Sequence, residues 1–379
     1  RFRVGMAQMM LKVALDVTVA AHALGGVGRY TLGLASALEE HAGGFGASVS
    51  FLDVPAARRG TREPLPGALT LPDPPWTRIR GFAGAGFRLG VERATRAARI
   101  ARISDADVFH VSGVQPESPL GRPRVLTFFD PSALEHPEWH TAATVRYAER
   151  EAAMVRRGAS LMAISEWSAA RAREIFGPSC RITVAGGAAD PCFTPGDPSP
   201  GVLDGLGLER QGFLLHVGNF VPRKNIPMLI EARARAAGRG FSLPLVLAGA
   251  GGWKEPGMEA GGVTVLREVS DETLLSLYRG ARALLLPSEY EGLGLPALEA
   301  MACGCGVVAA DSTALPETLA GCGLLLPPHD PDAWADAMTA LESGSLAEEL
   351  RSMALGRRGL HGWREVAAAA CECYLAATG

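Results

Sequence analysis

The chain has 379 residues, room for two domains with sizeable cores at roughly 100 to 200 residues each. Hydrophobic residues make up 47% and charged residues 20%, with Gly and Pro scattered without a period, which excludes a collagen, a coiled coil and a disordered tail. A formal charge of −3 lacks the basic footprint of a nucleic-acid partner, and no run of 18 apolar residues offers a membrane span.

At the N-terminus, Arg1, Arg3 and Lys12 interrupt a short apolar stretch, so a signal-peptide core is missing and a cytoplasmic protein is expected. Met10, followed by Leu11-Lys12-Val13, reads as the natural start, with residues 1–9 an upstream extension. From there short apolar runs of strand type alternate with helix-period segments, the pattern of βα units and parallel sheets. Strands are predicted at 11–17, 47–54, 107–111, 123–129, 159–164 and 181–184, and helices at 27–41, 86–102, 141–157 and 166–176. The stretch 188–200 carries four prolines and breaks the pattern as a linker. Strands then restart at 213–218, 244–249, 263–266, 282–286 and 306–309, separated by helices near 225–237, 271–280 and 295–303. After a short run at 323–326, helical patterns at 331–342, 346–357 and 361–376 close the chain. The expected architecture is α/β, two Rossmann-like domains facing each other across a cleft. Their bounds are 10–187 and 188–360, with 361–379 a C-terminal helix packing back on the first domain.

Only Lys12, Lys224 and Lys254 among the 37 cationic side chains are lysine, and Asn219 and Asn225 are the only asparagines. Such usage, rich in Ala, Gly, Arg and Pro, points to a GC-rich bacterial genome, so a Lys or Asn that survives the bias stands out. The seven cysteines include no C-x-x-C pair and read as reduced thiols rather than a disulfide framework or a zinc site. The C-x-C pairs Cys303/Cys305 and Cys371/Cys373 read as core filler, since i and i+2 on a helix face different directions.

In open α/β sheets ligands bind beyond the carboxyl ends of the strands, so each motif can be tested for position. Gly25-Gly26-Val27-Gly28-Arg29-Tyr30 opens the first long helix, where glycines either make a tight turn or let backbone amides approach an anion. Gly218-Asn219-Phe220-Val221-Pro222-Arg223-Lys224-Asn225 follows a strand, and the two cations Arg223 and Lys224 suit a diphosphate, one by bidentate bonds and one as a point charge, the alternative being a solvated charge pair. The segment Gly249–Lys254 also follows a strand and lines the expected nucleotide pocket. Asp105-Ala106-Asp107 has the form of a metal-holding D-x-D motif but precedes its strand, at the wrong end of the sheet, so no metal site is assigned.

The densest motif is Glu291-Gly292-Leu293-Gly294-Leu295-Pro296-Ala297-Leu298-Glu299-Ala300-Met301-Ala302-Cys303-Gly304, in which a strand ends in a glycine loop and a helix begins. This E-x7-E block resembles the signature of glycosyltransferase family 4, retaining enzymes of the GT-B fold. Pro222-Arg223-Lys224-Asn225 is similar to that family's diphosphate turn, and Gly25-Gly26 to its N-terminal glycine loop. Leu315-Pro316-Glu317 and Phe193-x-Pro195 also stand where the family has them, so the resemblance covers nearly the whole chain.

The resemblance implies hexosyl transfer from a nucleotide-sugar donor, UDP- or GDP-hexose, to a hydroxylated acceptor held by the first domain: a glycan, a lipid-linked species or a small natural product. It implies that Glu299 holds the ribose and that Glu291 with the amides of Gly292, Leu293, Gly294 and Leu295 holds the sugar. Arg223 and Lys224 beside Gly218 grip the diphosphate, and neither cofactor nor metal is needed. His110 is the catalytic candidate of the first domain, the alternative being a strand-end histidine satisfied by backbone. In many relatives a second histidine and a His-Asp pair stand where this chain has Ser112 and Phe129-Asp130. Asp130 and the segment Glu135–His140 are therefore acceptor-side candidates. Two rivals remain at this stage: a nucleotide-sugar epimerase of the same architecture, and a non-catalytic sugar-nucleotide binder. Between Trp76 and Arg102 seven arginines face the single Glu92, so Arg88, Arg93, Arg96 and Arg99 are candidates for peripheral contact with an anionic inner-membrane face, the alternative being a solvated helix face.

Overall fold

A computed structural model describes residues 10–17, 19–20, 25–53, 69–70, 105–112, 123–251, 260–357 and 362–379. The first lobe runs β1 (Leu11–Asp16), α1 (Gly26–His41), β2 (Ala47–Asp53), β3 (Leu69–Thr70), β4 (Val108–Val111), β5 (Arg124–Phe128), α2 (Ser132–Glu135), α3 (Ala142–Arg156), β6 (Ser160–Ala163), α4 (Glu166–Phe176) and β7 (Ile182–Val184). The second runs α5 (Val202–Gly205), β8 (Leu214–Val217), α6 (Ile226–Ala237), β9 (Leu245–Ala248), β10 (Val263–Leu266), α7 (Asp271–Gly280), β11 (Ala283–Leu286), α8 (Leu295–Ala302), β12 (Val307–Ala310), α9 (Leu315–Leu319) and β13 (Leu324–Leu326). Three helices follow, α10 (Pro331–Ser343), α11 (Ser345–Arg357) and α12 (Trp363–Thr378).

The strands form two parallel sheets, ordered β3-β2-β1-β4-β5-β6-β7 and β10-β9-β8-β11-β12-β13. This is the GT-B fold, two Rossmann-like lobes. Parallel sheets covered on both faces demand continuous apolar strands, and β8, β9, β11 and β12 are buried at every residue. Alternation along β1 sends Val13 and Leu15 into a core shared with α1 and α12, while Ala14 enters a second core under α3 and α4. Helix α12 therefore completes the first lobe from the far end of the chain, seating Val366, Ala370 and Tyr374 beside Leu15 and Leu34.

Predicted elements fall within one or two residues of the observed ones, except where they are too short to show a period. The two-residue β3 and the short helices α2, α5 and α9 were not expected, because four or five residues do not complete a recognisable hydrophobic repeat. The predicted helix 86–102, with Arg88, Arg93, Arg96 and Arg99, lies outside the described residues. Among the described residues no helix is long and apolar enough to cross a membrane. Cys303, Cys305, Cys371 and Cys373 are all buried and unpaired in the two cores.

Candidate active site

In each sheet successive strands are added first to one side of a central strand and then to the other, so the order switches between β1 and β4 and between β8 and β11. A crevice opens at the carboxyl ends of the strands flanking such a point. The β8 exit carries Gly218–Asn225 and the β11 exit carries Pro287–Gly294, so the topology sets side by side two motifs about 70 residues apart in sequence.

There the side chains converge. Pro222–Lys224 forms a single 3-10 turn closed by Asn225 in the left-handed region, at φ 53°. Arg223 donates from Nη1 to the Tyr290 carbonyl at 2.7 Å and to Glu291 Oε2 at 3.2 Å, while Lys224 Nζ meets Glu291 Oε1. Asn225 holds the turn by donating to the Pro328 carbonyl at 2.7 Å, and Thr313 Oγ1 accepts the Glu291 amide at 2.9 Å. Lys224 is 5% and Glu291 6% exposed, so these two charges are almost fully withdrawn from water, while the Arg223 side chain keeps 22% of its surface open. Burial alone would raise the Glu291 carboxyl; the Lys224 and Arg223 charges outweigh it and hold the group at about 2. The triad carries one net positive charge, suited to an anion arriving from the cleft.

Glu299, on α8, lies at the other end of the motif and accepts from the Tyr278 hydroxyl at 2.8 Å. It is 3% exposed, and burial raises its carboxyl to about 7 against the opposing pull of Arg29 and Tyr278. Arg29 reaches it from the first lobe: the guanidinium pairs with Asp271 and lies 5.7 Å over the Phe193 ring. Nothing in the sequence singles out Arg29 of the glycine loop, because one arginine among so many carries no compositional signal. Of that loop, Gly25 faces Asn219, whose Nδ2 would stand 3.1 Å from a methyl placed there, and Gly26 starts α1 with free space around it.

The loop between β11 and α8 also forms the seam between the lobes. A Cβ on Gly292 would stand 2.2 Å from the Phe129 carbonyl oxygen, so only glycine permits this approach. The Gly292 carbonyl accepts from Ser165 Oγ at 2.7 Å and Ser168 Oγ at 3.2 Å. Leu293 packs where Gly187 leaves room, Gly294 caps α8 at φ 84°, and Leu295 is buried as the first residue of that helix. Beside them Glu317 accepts the amides of Glu166 and Trp167 at 2.8 and 3.0 Å, an acidic cap supplied by one lobe to the N-terminus of α4 in the other. Tyr290 donates to Glu135 Oε2 at 2.7 Å and sets its ring edge-on to His136, Trp139 and Trp167.

His110 does not join this group, which corrects its assignment as a catalytic candidate. Alternation along β4 turns it to the same face as Val108, into the core under α12, where it has no exposed surface. Its Nδ1 bonds Tyr374 Oη at 2.7 Å and its Nε2 bonds Thr127 Oγ1 at 2.8 Å, so both nitrogens are spent inside the protein. Burial depresses it to about 3, leaving a neutral ring. Ser112 is likewise buried, 2.6 Å from Thr31 Oγ1. Tyr374→Phe should therefore lower stability by on the order of 1 kcal/mol while leaving ligand affinity unchanged. Chemical denaturation and calorimetric titration check both halves, and a loss of affinity at unchanged stability would return His110 to the site.

On the first-lobe side, Asp130 accepts the Ser132 amide at 2.9 Å and lies within the field of Arg223. Glu135 is committed to Tyr290 and Arg171, and His136 stacks on Trp139 at 3.9 Å. His140 has a buried Nε2 without a hydrogen-bond partner, close enough to Asp130 and Arg223 to feel both charges. Asp105 and Asp107 bond the Lys12 ammonium and amide at 2.8 and 2.9 Å, ahead of β4 and at the edge of the sheet away from the crevice. Among the described residues no group of three or more His, Cys, Asp or Glu is placed to hold a metal ion. Of the segment Gly249–Lys254, residues 252–254 lie outside the described residues.

Residues 211–343, which contain both cation and carboxylate motifs, match the family described as Glycosyl transferases group 1. The chain is 33% identical over 264 residues to the O-antigen chain mannosyltransferase B of Escherichia coli, covering 66% of this chain and 69% of that protein. Against the D-inositol 3-phosphate glycosyltransferase of Frankia alni it is 34% identical over 211 residues, about half of each chain. Among solved structures, sucrose-phosphate synthase from Thermosynechococcus elongatus superimposes with a TM-score of 0.70 over 97% of this chain and 98% of that one, at 19% identity. The Anabaena protein HepE in complex with UDP-glucose superimposes with a TM-score of 0.60 at 16% identity, covering 92% and 95%. With the GT-B fold, the matched motifs in its second lobe and this relative in E. coli, the chain belongs to the group 1 glycosyl transferases and is a glycosyltransferase.

Proposed function

We propose that the protein transfers a hexosyl group from a nucleotide-diphosphate sugar to a hydroxylated acceptor with retention at the anomeric carbon, as the likeness of its E-x7-E block to glycosyltransferase family 4 implies. The observation that carries the reading is the Arg223-Lys224-Glu291 triad at the switch point of the second sheet, with Glu299 about one turn into α8. An elongated donor laid along this line meets Glu299 with its ribose hydroxyls, the two cations with its diphosphate, and Glu291 with the amides of Gly292–Leu295 through its sugar. As the glycosidic bond breaks, negative charge grows on the leaving diphosphate, where fixed cations and amide dipoles stabilise it. Two cations already in place fill the role a divalent ion fills in other transferases, so transfer without added metal is part of the proposal. Asp130 and His140, facing Arg223 from the first lobe, are the acceptor-side groups. Two relatives point the same way: the E. coli mannosyltransferase by the hexose in its name, the Anabaena protein by the UDP-glucose bound to it.

The test is a thermal-shift panel of UDP, GDP, ADP and dTDP and their sugars, followed by transfer assays with the donor selected. A ligand at 100 times its Kd should stabilise the fold by about 2.7 kcal/mol. Proton NMR of the product then reads the anomeric configuration. Failure of every nucleotide to raise the melting temperature would defeat the donor assignment, and inversion would defeat retention alone.

A further inference from the structure

His216 lies in the middle of the second sheet, on β8, with no exposed surface. Its Nδ1–H donates to the Leu285 carbonyl at 2.9 Å, which fixes the tautomer and leaves a lone pair on Nε2. That Nε2 is buried and has no hydrogen-bond partner. A buried acceptor without a donor costs free energy, so its retention beneath a binding site calls for a role. Its surroundings supply one. A methyl placed on Gly218 would stand 3.6 Å from His216 Nε2 and 3.4 Å from Lys224 Cε, so imidazole and lysine flank the same point of the backbone under the diphosphate turn.

Resting on the donor-site reading above, we infer that His216 is a positioning residue for Lys224, its Nε2 accepting an N–H of the Lys224 ammonium once a diphosphate draws that ammonium away from Glu291. An ammonium has three donors. Glu291 engages one and also cancels its charge; a neutral imidazole orients the group without cancelling it, leaving the full charge and the remaining donors for phosphate oxygens. Burial pushes His216 down to about 4, so it stays neutral through the physiological range. The charges that face it are those of Lys224 and Glu291. Burial, with Arg223 adding repulsion, also lowers the pKa of Lys224 against the pull of Glu291, so an extra acceptor helps keep that amine protonated when the carboxylate turns to the sugar.

The experiment is a double-mutant cycle read by calorimetric titration with whichever nucleoside diphosphate of UDP, GDP, ADP and dTDP stabilises the wild type. His216→Phe keeps the volume and removes the acceptor, and should raise Kd about tenfold. His216→Gln can donate its amide to Leu285 and offer Oε1 in place of Nε2, and should recover most of that loss. In a Lys224→Ala background, His216→Phe should change Kd no further. His216→Met provides the same comparison if the phenylalanine variant does not fold. An equal loss with and without Lys224 would overturn the proposal, as would wild-type affinity in His216→Phe. A wild type that binds no nucleotide would instead overturn the donor-site reading, and this inference with it.

Discussion

Lys224→Ala is expected to lower kcat by on the order of a hundredfold to a thousandfold at saturating donor, the scale on which one preorganised electrostatic donor contributes to a transition state. The argument is about where charge appears. In the proposed complex the diphosphate charge of the bound donor is spread over the phosphate oxygens; as the glycosidic bond breaks, the bridging oxygen would gain charge next to the buried ammonium. An interaction stronger in the transition state than in the ground state lowers kcat together with kcat/KM when it is removed, and extra substrate does not restore it. Arg223→Ala should act in the same direction, with a second consequence, since Arg223 also anchors the Tyr290 carbonyl and hence the loop. Truncating either cation leaves Glu291 under-neutralised in a buried place, so the variants need a folding control by circular dichroism and melting temperature. EDTA should leave the wild-type rate unchanged. Transfer abolished by EDTA, with Lys224→Ala retaining its kcat, would refute the metal-independent proposal.

The second large effect concerns Glu299. In the proposed donor pose its replacement by alanine removes the acceptor for the ribose hydroxyls, each charge-assisted bond contributing about 1.5 to 3 kcal/mol, or roughly a 10- to 150-fold rise in donor Kd. The wild type should show the same group through pH. Burial raises Glu299 to about 7, so in the free protein it is mostly protonated at pH 6 and mostly ionised at pH 8. Hydroxyl donors prefer the ionised form, so binding releases a proton: donor affinity should rise from pH 6 toward 8 and level off above the carboxyl's pKa. The folding contribution has the opposite sign. Between its ordinary carboxylate range and about 7 the folded protein holds a proton that the unfolded chain has lost, so this group makes stability fall as pH rises through that window. The Arg29 charge and the hydrogen bond from Tyr278 on α7 oppose the upward shift of this carboxyl, and the Asp190 and Asp271 charges add to it. Calorimetry with an intact nucleotide sugar across this range checks the slope, and Glu299→Gln should flatten it. A slope that survives Glu299→Gln would assign the proton to another group.

The fold was largely legible in the chain, because parallel strands buried on both faces must be continuous apolar runs and the helices between them must carry a period. The site was legible where its chemistry is local. A strand ending in glycine and then a helix puts Glu291 at the loop and Glu299 inside the helix, and two cations after β8 sit at a carboxyl edge wherever the sheet goes. What the sequence could not decide is which of these groups meet, and in what direction each side chain points. Arg223, Lys224 and Glu291 come together only because the strand order reverses between β8 and β11. His110 reads as a cleft histidine until α12, more than 250 residues later, closes the core over it and supplies the Tyr374 hydroxyl. Arg29 is one arginine among many until it crosses to Asp271, 242 residues away. His216 reads as one polar residue in an apolar strand, and only the packed sheet shows one nitrogen satisfied and the other buried without a partner. Local propensity and hydrophobic period are written along the chain. The partner of a buried polar atom is set by long-range packing, which no local stretch of sequence encodes.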